Sequence, residues 1–200
     1  MFRYLAVPAV ALSLVAAPAA AQESSLLFSH FKTFCADGEG AAPRALQMGR
    51  SAGWAEIPSS VLTSDPENPF EDVTALMNAE DNGDLSILMI GTMQENYEGT
   101  PMTMKVCAVM GGNFETNQPV KPDPRPIVRQ WLGMDAHPAL MEEGMTGYAF
   151  RMVDGGKVAV RPSEAALMQS ALNGDLHIVL TNDENTFEGA SMLMYMRPGF

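Results

Sequence analysis

Apolar and polar positions follow two periods along this chain, and the period changes where Gly and Pro fall. Ser24–Phe34 places Leu27, Phe28, Phe31 and Phe34 at helical spacing, with Ser24 as the side-chain cap. Cys35 ends that helix before the turn-rich ADGEGAAP. Pro43 opens a second helix, Pro43–Ser51, which carries Ala45, Leu46 and Met48 and stops at Gly53. Trp54–Leu62 reads as extended, and Pro58 confines any strand there to an edge. After the turn TSDPEN, Asn68 and Pro69 open a helix whose apolar stripe is Phe70, Val73, Leu76 and Met77. Gly83 ends it in the left-handed conformation. Leu85–Thr92, apolar throughout Ile87–Ile90, reads as a buried strand. The loop QENYEGT joins it to an antiparallel neighbour, Pro101–Met110.

This helix–strand–strand pattern occurs twice. Phe70–Val106 matches Arg161–Met196: Ala75–Met77 recurs as Ala166–Met168, and Asn82–Leu85 as Asn173–Leu176. Further on, Glu98-Gly99 matches Glu188-Gly189, while Met102 and Met104 match Met192 and Met194. A long period seen twice is a duplicated unit, not a solenoid. In the second copy Pro162 begins the helix, Gly174 ends it, and Leu176–Thr181 and Ser191–Arg197 are the strands. Its lead-in has helical Pro126–Leu132 and Pro138–Met145. A hairpin follows, Gly147–Val153 and Lys157–Val160, turning at Asp154-Gly155-Gly156. Gln118–Pro126 (QPVKPDPRP) is a polyproline joint between the copies. The expected fold is α+β: two duplicated helix–strand–strand units, related by a pseudo-twofold, share one mainly antiparallel sheet with helices over one face. Residues 22–118 form the first half, 119–126 the linker and 127–200 the second half.

Residues 1–21 read as a secretory signal peptide, with Arg3, the apolar run Leu5–Val15 and a cleavage site at Ala19–Ala21. A mature chain beginning at Gln22 is expected to be periplasmic or secreted. No Cys follows the cleavage site and no later apolar run reaches spanning length, so neither a lipid anchor nor membrane insertion is expected. Twenty-four acidic residues face 12 basic ones, a formal net charge of −12. Such a surface repels nucleic acid and anionic lipid and leaves a protein or a cationic partner. The two cysteines, Cys35 and Cys107, read as one disulfide in an oxidising compartment, with a reactive thiol as the alternative.

Sixteen methionines are the compositional oddity. Met102-x-Met104 and Met192-x-Met194-x-Met196 each fall on one face of a strand. Met102, Met104, Met192 and Met194 are thus candidate thioether ligands for copper as Cu(I), and equally candidate core residues. His30, His137 and His177 show no paired ligand spacing. Asp84 and Asp175 repeat within NGDL, either as an acid/base pair or as turn residues. Asp183-Glu184-Asn185 and Asp65–Asp72 lack the spacing of a calcium loop, and no nucleophile elbow, zinc-protease helix, phosphate loop or dinucleotide fingerprint occurs. The expectation is an exported, non-enzymatic binding or accessory protein without a cofactor. A Met-based Cu(I) protein is the alternative, and a hydrolase or isomerase with scattered acidic residues is the third reading.

Phe31-x-x-Phe34-Cys35, Pro43, Ala45-Leu46 and Gly53-Trp54 resemble the opening of small exported proteins of alphaproteobacteria that have no assigned role. The resemblance covers the first third of the mature chain. It implies export and an internal disulfide, and carries over no catalytic residue.

Overall fold

The computed structural model describes residues 25–62, 70–80, 83–97, 100–141, 144–182 and 189–199. The expected leader 1–21, the Asn68-Pro69 helix start, the Glu98-Gly99 turn and the acidic loop at 183–185 lie outside these residues. Ser25, not Ser24, caps the first helix, α1 (Leu26–Phe31), by accepting the Phe28 N–H at 3.4 Å. The helix continues as a π-helical turn, Lys32–Ala36. Next come α2 (Ala42–Ser51), β1 (Ala55–Ile57), α3 (Ser59–Leu62), β2 (Phe70–Ala79), β3 (Leu85–Tyr97), β4 (Thr100–Asn113) and β5 (Gln118–Pro119). The remainder is α4 (Pro124–Leu132), a 3-10 turn at Pro138–Leu140, β6 (Met145–Val153), β7 (Gly156–Ala159), α5 (Glu164–Leu172), β8 (His177–Asn182) and β9 (Ser191–Pro198).

The described strands form one mainly antiparallel sheet in the order β1-β2-β3-β4-β9-β8-β6-β7, with β5 also on β4. The two halves of the chain therefore meet at β4–β9, where Val109 pairs with Leu193. The expected α+β class holds, but the first expected repeat helix is strand β2, paired with β1 and β3. Its residues explain the difference. FEDVTALMNA carries β-branched Val73 and Thr74 with Asp72 and Asn78, whereas α5 (EAALMQSAL) is rich in Ala and Leu and is capped by Ser163. A bulge between Glu71 and Thr74 puts Asp72 at φ 49°. Gly91 makes room for it, since a Cβ there would sit 3.0 Å from the Glu71 carbonyl.

The strand pairs of both copies are antiparallel hairpins, but their registers differ. Leu88 pairs with Val109, whereas its match Val179 pairs with Tyr195, and the sequence match of Val109 is Gly199. Helices also cover both faces of the sheet, not one. α1, the π-helical turn, α2 and α4 pack on the face of Leu76, Leu88, Cys107, Val109 and Leu193. α5 packs Leu167 and Ala171 on the opposite face, against Ile178, Met194 and Met196. Gly49 lets α2 approach the sheet, because a Cβ there would lie 2.7 Å from Leu76 Cδ1. Cys35 and Cys107 form the disulfide, with Cα atoms 5.4 Å apart across 72 residues of sequence. It fastens the π-helical turn to β4 inside this core.

The Pro-rich stretch is not a free joint. Pro119 pairs with Gly112 in β5, and Pro124 and Pro126 occupy the first turn of α4, where no amide hydrogen is needed. The segment 138–140 forms only a 3-10 turn. His137 holds it: its Nδ1 accepts the Ala139 N–H at 3.3 Å and its Nε2 donates to the Arg161 carbonyl at 2.9 Å. Asp154 and Gly155, at φ 49° and 77°, make the expected hairpin turn. Among the described residues no helix is long and apolar enough to cross a membrane.

Candidate functional site

Two hollows flank the start of α4. Asp123 is the N-cap: its Oδ1 accepts the backbone N–H of Arg125 at 3.0 Å and the Arg125 Nε–H at 2.9 Å, while Oδ2 accepts Nε at 3.0 Å. Burial alone would raise the Asp123 carboxyl, but the Arg125 hydrogen bonds and charge hold it below the usual carboxylate range. α4 ends at Gly133 in the left-handed conformation, and the chain turns back so that Asp135 meets Arg129 at 3.0 Å. Between these two ion pairs lies an open cleft of about 630 Å³, lined also by Gln130, Met134 and Tyr148. Tyr148 comes from β6 and is 5% exposed. Burial pushes its phenol above the ordinary value, so it stays a neutral hydrogen-bonding group. On the other side of Asp123 and Arg125, a smaller hollow of about 90 Å³ is closed by Asn182 and Met192. Asn182 is fixed there by donating to the Ala190 carbonyl at 2.9 Å and accepting the Met192 N–H at 2.6 Å.

The larger cleft offers paired charges, an amide and a phenol. Its lining contains no Ser, Cys or His. These groups can meet a ligand through hydrogen bonds and ion pairs.

A second polar group is sealed in the core. His177 Nδ1 and Tyr195 Oη lie 2.6 Å apart, with Phe150 stacked on the imidazole at 5.4 Å between ring centres. Burial holds His177 below its ordinary value despite the nearby Glu39 and Asp175 charges, with Arg197 adding to the effect, and burial raises Tyr195 well above its own. Both are neutral, and the pair serves the fold. His30 sits between Phe34 and Trp54, at ring distances of 5.8 and 5.0 Å, and burial lowers it as well, against an opposing pull from Glu80.

The structure separates the other expected partners. Asp84 precedes β3, whose Leu85 lies opposite Gly112. Asp175 precedes β8, whose Ile178 pairs with Met196, itself opposite Val106. The two carboxylates therefore stand near opposite ends of β4, and Asp175 lies 3.7 Å from Arg151 instead. Met102, Met104, Met192 and Met194 all point to the α5 face, 7%, 0%, 5% and 5% exposed. They do not converge: Met104 pairs with Pro198, Met194 with Ala108 and Met192 with Met110. Met104 and Met192 are thus about 20 Å apart along the strands. The offset of the sequence match had placed them together; the antiparallel β4–β9 ladder carries them apart. The cleft residues were not singled out by the sequence reading. The available signals were Asp123-x-Arg125 at a helix start and Arg129 and Asp135 on either side of a helix-ending glycine.

No family model matches the sequence, and no curated protein or solved structure matches it.

Proposed function

We propose that this chain is an exported, non-enzymatic binding protein and that the α4 cleft receives its ligand. One observation carries the reading: two guanidinium–carboxylate pairs, Asp123–Arg125 and Arg129–Asp135, bracket an open cleft of about 630 Å³ whose lining holds no Ser, Cys or His. Both signs of charge stand ready at its rim, so the fitting ligand is a small dipolar molecule or a peptide segment that offers both signs in return. Export rests on the leader-like residues 1–21, and the Cys35–Cys107 disulfide is in keeping with an oxidising compartment. Descent of the two halves from one unit is supported by the shared ALM and NGDL segments and by Gly83 and Gly174, at φ 86° and 75°.

The test is a thermal-shift screen of the mature protein against amino acids, betaines and short peptides, followed by calorimetry. A hit whose affinity drops about tenfold in Arg129→Ala or Asp135→Ala, with the unfolding midpoint unchanged, supports the site. A screen with no hit, or a hit indifferent to both changes, overturns it. Intact mass of protein recovered from a periplasm checks export, with Gln22 as the expected first residue.

A further inference from the structure

The buried methionines segregate by face, although the partly buried Met48 and Met134 pack against the disulfide face from the helical layer. The buried residues on the disulfide face include no methionine; their sheet positions are Leu76, Leu88, Ile90, Cys107, Val109, Val179 and Leu193 together with aromatic residues. The buried set on the α5 face holds Met102, Met104, Met192, Met194 and Met196. These positions alternate with the aliphatic ones along the same strands, so strand propensity alone does not account for the division.

The register sorts this face further. Met93 on β3 pairs directly with Met104 on β4, Met102 lies two residues along β4 on the same face, and Met196 on β9 is diagonal to Met104. Direct and diagonal neighbours on one face of a sheet bring long side chains within reach of one another. Met104 is fully buried and Met102 nearly so, whereas Met93 is only partly buried and opens the group to solvent. Among the described residues there is no free cysteine to compete for a soft ion.

The geometry points to a thioether site for a soft monovalent cation, Cu(I) or its analogue Ag(I), formed by Met93, Met102 and Met104. Thioether sulfur favours such ions over hard ones, and coordination by neutral sulfur requires neither a proton nor an electron to leave. The site stands apart from the α4 cleft and does not depend on a ligand there.

The test uses the oxidised mature protein and Ag(I), with native mass spectrometry and a competition titration. Met→Leu keeps side-chain volume and removes the ligand atom. The expected result is one Ag(I) per chain, with affinity reduced at least tenfold in Met93→Leu and Met104→Leu and unchanged in Met194→Leu. Circular dichroism and the unfolding midpoint confirm that each variant is folded. X-ray absorption of the Cu(I) form should then detect sulfur neighbours alone. Absence of an adduct, an equal loss in Met194→Leu, or nitrogen or oxygen neighbours in the spectrum would each overturn the assignment.

Discussion

Leu88 and Met89 are adjacent on β3, yet they face opposite sides of the sheet and meet different cover. Leu88 is fully buried beneath a layer made by α1, the π-helical turn, α2 and α4, which the Cys35–Cys107 bond ties to β4. On that side the partly exposed apolar residues, such as Phe28, Leu46 and Trp131, lie in the covering layer and not in the sheet. On the other side the partly exposed residues are largely the sheet's own: Phe70, Met89, Met93, Met110 and Leu180. One face has fixed shapes, rings and branched chains fitted together. The other is lined with flexible thioethers that tolerate an imperfect cover. A single sheet can thus keep a rigid side that sets the fold and an adaptable side that is free to meet something else.

Opening the disulfide should give the largest effect. Cys35→Ser with Cys107→Ser removes a link across 72 residues and should lower stability by about 4 kcal/mol in urea unfolding. A loss below about 1 kcal/mol would mean that packing alone holds the helical layer. Next, Leu88→Ala should cost about 3 kcal/mol and Met89→Ala about 1 kcal/mol, read by the same method. Equal costs would erase the contrast between the faces.

The disulfide face should also respond to pH. His30 and His177 are both held below the ordinary histidine value, chiefly by burial, so the folded state binds protons more weakly than the unfolded chain. Their contribution is fully present above about pH 6.5 and is lost as pH falls through the lowered folded values. His30→Phe keeps an aromatic ring between Phe34 and Trp54 and should flatten the fall in stability between pH 7 and pH 5. An unchanged slope would place the sensitivity elsewhere. The smallest change is expected outside both faces: Arg129→Ala, whose ion pair is 69% and 90% exposed, should alter stability by no more than about 0.5 kcal/mol.

Much of the rigid face was legible in sequence. Pro43 and Gly53 bracket α2, the two cysteines announced their bond, and the turn at Asp154-Gly155 fixed a hairpin. β2 was not legible, for a physical reason. Ala75 and Leu76 are both fully buried although neighbours along a strand face opposite sides, so the alternation that marks a strand is lost. What remained was a stripe at helical spacing and an ALM triplet that truly is helical in α5. Neither the cleft nor the Met93–Met104 pairing could be read from spacing. The cleft depends on how α4 lies beside β6, and the pairing on a β3–β4 register that the sequence does not state.

The placement of β9 has a consequence for the order of events as the chain emerges. β1 to β4 can pair among themselves and Cys35 can reach Cys107 once β4 is out. β4 then has only the two residue pairs of β5 on its far side until β9, encoded far downstream, arrives to complete its ladder. In that interval a long strand bearing Val106, Ala108 and Met110 presents an open edge, the kind that joins one chain to another. The nascent first half is therefore the stage at which this protein is most exposed to self-association, and timely delivery of the second half ends it.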